Sequence, residues 1–325
     1  MAGLPSLADF PPLFLIAFAV ALGLVLGSFL NVVIHRLPRG ESLAFPGSHC
    51  PHCGQPIKPR DNVPVLSYLV LLGRSRCCKA PISPRYPLVE AIGGLVAWAV
   101  MRSIVLELPL EETSIARGGA VFLAYLTLAL ALVAAAFIDL EHMVLPDEIT
   151  LGGAGLGIAT VPLRADSSFR ESLLGAAVGF FVVWLPFIFL YGKLRGRAGM
   201  GLGDAKLVLL AGAWFGWLGA AFALLAGAVQ ATAVMLALLA TGKKLEEPAA
   251  VVEERRALQE ALAKAEGAER EELLREVAED PLATEPAAGL GGARLAFGPF
   301  IILAILEFMF YGPVIRGELL GGLEP

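Results

Sequence analysis

Eight runs of apolar residues constrain this chain more than any other feature, because a helix needs roughly 20 such residues to cross a bilayer. They lie at about 12–34, 87–106, 119–138, 149–164, 172–192, 205–218, 220–240 and 297–315, the fourth and sixth being short and rich in glycine. Composition agrees: 57% of the 325 residues are hydrophobic, only 17% are charged, and the mean hydropathy is +0.72. A water-soluble domain does not carry that balance. The expected fold is an all-α polytopic membrane protein of about eight transmembrane helices with a small cytoplasmic Cys-containing domain. Residues 1–11 hold no Lys or Arg, so the first run reads as a span and not as a cleaved signal.

Charge sets the orientation. Twenty of the twenty-five Lys and Arg fall in segments 35–86, 193–206 and 241–296, whereas Arg102, Arg117, Arg164, Arg170 and Arg316 lie between the other spans. The positive-inside rule puts the three basic segments in the cytoplasm, together with 139–148, and both termini outside. The implied order is a first helix at 1–35, a cytoplasmic knuckle-like domain at 36–86 and a membrane core at 87–240. A charged insertion at 241–296 and a last helix at 297–325 follow.

Two aspartates stand at the cytoplasmic mouths of these spans. Asp139 closes the run 121–138, and Asp204 ends Gly201-Leu-Gly-Asp204 just before another run. A carboxylate at a membrane boundary is costly to bury, which marks it as a functional candidate. Two carboxyls sharing a proton activate water, as in aspartic proteases. Either Asp taken alone also suits a helix N-cap, as does Asp147. Lys206 reads as a snorkelling anchor. Glu90, Glu141 and Glu148 are acidic groups open to a basic ligand, although such residues usually just face water. As ion-coupling groups, the two aspartates would instead suit a transporter, but they sit at the membrane edge and not at its midplane.

All four cysteines lie in the first cytoplasmic segment: Cys50-Pro-His-Cys53 and Cys77-Cys78. In a reducing compartment this spacing points to a zinc knuckle sooner than to disulfides. Cys50, Cys53 and Cys78 are the expected ligands. The third position of a regular double knuckle falls on Ser75, which leaves Cys77, His49 or His52 as fourth ligand, or a metal-free knuckle. The insertion carries a helical pattern from Pro248 to about Asp280, with pairs such as Glu271–Arg275, then a linker over 280–292. It reads as a solvated helix without chemistry. Gly152, Gly153, Gly155 and Gly157 suggest close helix packing. No basic stripe or phosphate loop points to nucleic acid or to a Rossmann cofactor site.

Seven segments in order resemble the type IV prepilin peptidases: Gly27-Ser-Phe-Leu-Asn31 through Pro38, Cys50-Pro-His-Cys53, Asp61 to Ser67, Ala80 to Glu90, Asp139 to Asp147, Gly201 to Lys206, and Phe297-Gly-Pro-Phe300. The resemblance implies a membrane aspartyl endopeptidase with Asp139 and Asp204 as its catalytic pair. It would cut a prepilin or pseudopilin leader after Gly at the inner membrane, then N-methylate the new N-terminus with S-adenosylmethionine. Other Gly-x-Gly-Asp intramembrane proteases, of the presenilin or preflagellin type, are the nearest alternative, and the cysteine-bearing loop favours the prepilin branch. The family carries two Cys-x-x-Cys pairs, from which Ser75 departs.

Overall fold

The structure is a computed structural model that describes residues 5–320 apart from 165–166, 197–198, 242–246, 268–269, 272, 275–276, 278–281 and 283–294. Helices build it: α1 Pro12–Arg36, α2 Leu66–Val70, α3 Arg85–Val100, α4 Ile115–His142, α5 Asp147–Ala159, α6 Phe169–Val183, α7 Tyr191–Arg195, α8 Leu202–Thr241, α9 Ala249–Lys264 and α10 Gly298–Leu320. Among the described residues there is no β-strand, only isolated bridges. Helix α3 runs on through a π-helical stretch at Met101–Val105, and another at Trp184–Leu190 joins α6 to α7. Among the described residues, six helices are long and apolar enough to cross a membrane.

Helix α4 is the centre of the bundle, and its inward residues from Val121 to Ile138 are almost fully buried. The pair α1/α3 packs against it, as do α5 and α10, while α6 and α8 pair beyond α5. Small residues set these approaches. A Cβ at Gly27 would fall 2.9 Å from the Glu90 Cα, and one at Gly93 would fall 2.8 Å from the Gly27 Cα, so α1 and α3 meet backbone to backbone. Gly153 and Gly157 make room for the Leu210 and Trp214 side chains of α8, but Gly152 and Gly155 face open space. Only half of that glycine run serves packing.

Helix α8 is two helices. Gly216 leaves helical geometry at φ 71° and ψ −171°. A Cβ at Gly179 would touch both the Val208 carbonyl, at 2.5 Å, and the Ala220 Cβ, at 3.2 Å. Those residues are twelve apart, about 18 Å along a continuous helix, so the chain must fold back at Gly216. Carbonyls freed at the turn are claimed by side chains. Ser172 Oγ donates to Ala213 O at 2.6 Å, and the buried Arg164 guanidinium donates to the Trp214 and Gly157 carbonyls while lying 5.1 Å from the Trp214 ring centroid. A cation there also suits the negative end of the first half of α8. The expected runs 205–218 and 220–240 are thus the two arms of one hairpin. The run expected at 149–164 is shorter than a span, because α5 has 13 residues and ends at Ala159.

Residues 37–84 form two knuckles and the short α2 between α1 and α3. In the charged insertion, α9 covers Ala249–Lys264 and stops at Ala265, whose backbone is extended. The expected linker at 280–292 and Arg275 of the expected Glu271–Arg275 pair lie largely or wholly outside the described residues. The helix is docked and not freely solvated: Val251 is 2% exposed, and Glu254 meets the buried His142 of α4 at 3.2 Å.

Candidate active site

Asp139 lies in the last turn of α4 and is 5% exposed. The helix stops one turn later because Met143 takes a left-handed conformation, φ 54°, and donates its N–H to Asp139 O at 2.9 Å. An acid at a helix C-terminus faces the negative end of the dipole, so the N-cap reading fails for Asp139. Its Oδ2 is buried with no hydrogen-bond partner among the described residues. Asp204 is the third residue of α8 and accepts the Gly201 N–H at 3.2 Å, closing the helix start from inside the first turn. The capping reading therefore holds for Asp204 in part.

Leu145 lies between the elements that carry the two acids. A Cβ at Gly203 would lie 3.1 Å from Leu145 Cβ, and one at Gly298 would lie 3.3 Å from Leu145 Cδ1 and 2.5 Å from Asp139 Oδ2. The α4–α5 connection, the start of α8 and the start of α10 thus converge at one end of the bundle. Gly298 is a residue whose role the sequence reading missed: any side chain there collides with the Asp139 carboxylate. Its signal was the Gly-Pro pair opening the last apolar run.

The neighbouring charges have other partners. Asp147 is the first residue of α5, after the N-cap Pro146, and both its oxygens accept from Lys206 Nζ, at 2.6 and 2.8 Å. This corrects two expectations, since Asp147 is not the cap and Lys206 is an ion-pair partner that ties α5 to α8. Glu141 pairs with Arg85 at 2.5 Å, and Glu90 accepts the Val65 N–H at 2.6 Å, so neither is an open acidic group. Glu148 is exposed.

The four cysteines converge. Cys50 Sγ is 3.7 Å from Cys78 Sγ, Cys53 Sγ is 3.3 Å from Cys77 Sγ, and all four sulfurs lie within 4.8 Å of one another. A tetrahedral zinc with bonds of about 2.3 Å needs sulfurs about 3.8 Å apart, so the set fits that ion. The two knuckles repeat with an offset of 25 residues. Cys50 N donates to Gln55 O and Gly54 N to Cys50 O; likewise Ser75 N donates to Ala80 O and Lys79 N to Ser75 O. Ser75 therefore stands where a cysteine would complete the repeat, with Oγ 3.2 Å from Cys78 Sγ, and Cys77 supplies the missing sulfur. Adjacent cysteines do both reach the centre here. His49 instead contacts Gly47 O, and the sulfur group does not include it or His52. The N–H groups of His52 and Cys53 hold the Cys50 thiol down to about 6, which favours the thiolate that a metal requires.

The Bacterial Peptidase A24 N-terminal domain matches residues 21–104, and the Type IV leader peptidase family matches residues 126–236. The chain is 35% identical over 271 residues to the prepilin leader peptidase/N-methyltransferase of Burkholderia pseudomallei, covering 75% of this chain and 84% of that one. It is 38% identical over 223 residues to the protein of that name from Klebsiella pneumoniae, covering 67% and 92%. For Myxococcus xanthus the values are 41% over 243 residues, covering 72% and 66%. No solved structure gives a significant match. With both halves of the chain matched and relatives aligned over most of their length, this multi-pass membrane protein belongs to the type IV leader peptidase family.

Proposed function

We propose that this chain removes the leader of a type IV prepilin or type II secretion pseudopilin after a glycine on the cytoplasmic side, and then N-methylates the new N-terminus. The observation that carries the reading is the convergence at Leu145 of the elements that bear Asp139 and Asp204, with one buried Asp139 oxygen without a partner among the described residues. The prepilin substrate and the methyl transfer come from the relatives' names.

In the proposed reaction one aspartate is ionised and takes a proton from water as its oxygen attacks the scissile carbonyl carbon. The other is protonated and gives its proton to the carbonyl oxygen. Collapse of the tetrahedral species breaks the C–N bond, and a proton passes to the departing amine. Like charges at short range separate the two titrations, so the acid and base roles belong to the pair. Gly201 leaves the backbone beside Asp204 without a Cβ atom, where a substrate strand can approach, whereas the space at Gly203 is taken by Leu145.

Cys50, Cys53, Cys77 and Cys78 would hold zinc as a structural knuckle, apart from the hydrolytic chemistry. S-adenosylmethionine is the donor that the methyl transfer implies. The described residues form no strand–loop–helix cradle for it. The domain division follows the same reading: a knuckle domain at 36–86, a peptidase core at 87–240 and an insertion at 241–296, of which α9 packs on the end of α4.

The test is to mix the purified protein with a prepilin and read the product's N-terminus by mass spectrometry. A new N-terminus immediately after glycine, heavier by one methyl group when the donor is present, is the expected result. An uncut precursor with the folded protein would overturn the reading.

A further inference from the structure

Helix α2 is inside out for an element exposed to water. Its outward residues Leu66, Leu69 and Val70 are 60%, 61% and 70% exposed and fall at i, i+3 and i+4, which is one helix face. Leu72, just beyond, is 86% exposed and Val63, just before, is 45% exposed. The polar groups turn inward instead. Ser67 Oγ accepts the Val63 N–H at 2.9 Å and donates to Arg60 O, and Tyr68 lies against Gly73. A contiguous apolar face of this kind marks a contact surface.

The attachment of α2 says what covers that face. The Val65 N–H, at the start of the helix, donates to Glu90 Oε2 at 2.6 Å. Glu90 lies in the second turn of α3, itself a candidate span from Arg85 to Val105. Glu90 is level with Gly27 of α1, whose added Cβ would fall 2.9 Å from the Glu90 Cα. Gly27 lies nine residues before the end of α1 at Arg36, about 13 Å along the axis. The tether therefore reaches below the ends of both flanking helices. Val65 holds it at φ 60° and ψ −46°, a positive-φ conformation rare for a β-branched residue and kept only where the surroundings fix it. Arg60 borders the same patch and is placed for a lipid phosphate, beside Arg76, whose Nε donates to the Asp61 carboxylate at 2.8 Å.

We infer that α2 is a membrane-dipping element, with Leu66, Leu69, Val70 and Leu72 inserted at the headgroup–acyl boundary of the leaflet on the active-site side. The segment 63–72 then anchors the cysteine knuckles to the bilayer between α1 and α3, in the manner of an interfacial helix. This rests on the chain being membrane-embedded and not on the identity of its substrate.

The full chain would be reconstituted in phosphatidylcholine vesicles, with and without phosphatidylglycerol, carrying a phospholipid with a photoreactive diazirine near the top of its acyl chain. After illumination, adducts are mapped by peptide mass spectrometry. Adducts across 63–72, at a yield within about threefold of those in α1 and α3, are expected. A Leu66→Gln/Leu69→Gln variant should lose most labelling there and keep that of α1 and α3, which also reports that the bundle is intact. Labelling of α1 and α3 with none over 63–72 would overturn the inference. So would protection of 63–72 from hydrogen exchange only on adding a prepilin, which would make this face a substrate-docking surface.

Discussion

Gly298 and Asp139 show how tightly one residue depends on another here. A methyl group at position 298 would fall 2.5 Å from Asp139 Oδ2, so Gly298→Ala must displace the carboxylate or the start of α10. A displacement near 1 Å at a catalytic group costs about 100-fold in rate. The expected result is a fall of that order in kcat for leader cleavage with the protein still folded, read by steady-state kinetics and circular dichroism. At the knuckle, Cys77→Ser should lower bound zinc, and adding Ser75→Cys to it should restore the metal, because the 25-residue repeat puts position 75 at the centre. Elemental analysis of the purified variants checks this; equal zinc in all three proteins would contradict it. Both aspartates were legible in the sequence because an acid beside an apolar run is rare. Cys77 was legible only as one of three candidates for the fourth ligand, since adjacent cysteines do not usually share an ion and only the fold shows the second loop turned to bring both sulfurs inward.

Among the elements, the apolar runs were readable and their lengths were not. The arms of α8 were legible as two runs, but the reversal between them depends on Gly216 and on the Arg164 and Ser172 side chains that take up its carbonyls. Contacts of that kind join residues some 40 to 50 positions apart and leave no local pattern. The docking of α9 was hidden for the same reason, as the His142–Glu254 contact spans 112 positions. Helix approach offers a direct check. A Cβ at Gly212 would collide with the Gly175 carbonyl, whereas one at Gly155 would meet nothing within 4 Å. Gly212→Leu should therefore destabilise the bundle by about 1–3 kcal/mol or more through overpacking. Gly155→Ala should be neutral or gain up to about 1 kcal/mol of helix propensity. Thermal unfolding in detergent separates the two cases, and equal shifts would mean that α6 and α8 do not meet as described.

Across the whole molecule, the groups of the candidate site are gathered at one end of an apolar bundle. The Asp139–Leu145–Asp204 junction, the Lys206–Asp147 and Arg85–Glu141 pairs and the docked α9 occupy that end. The N-terminal segment pairs with the loop before α4 at the other end, where Leu7 N donates to Thr113 O at 2.9 Å. Charge counting had already grouped the acid-bearing loops on one side, because orientation is set by composition and needs no tertiary contact. The transporter alternative finds no support in the family matches to both halves of the chain. The central claim is that Asp139 and Asp204 form the hydrolytic pair, and one comparison tests it most directly: initial rates of prepilin cleavage by wild type, Asp139→Asn, Asp204→Asn and Asp147→Asn, each confirmed as folded and membrane-inserted. An amide can act neither as base nor as acid, so the first two variants should lose at least about 1,000-fold, within the range assigned to general acid–base and electrostatic steps. Asp147→Asn breaks only the partly exposed pair with Lys206 and should keep most of the activity. Substantial cleavage by either Asp139→Asn or Asp204→Asn, or a loss in Asp147→Asn equal to theirs, would contradict the assignment.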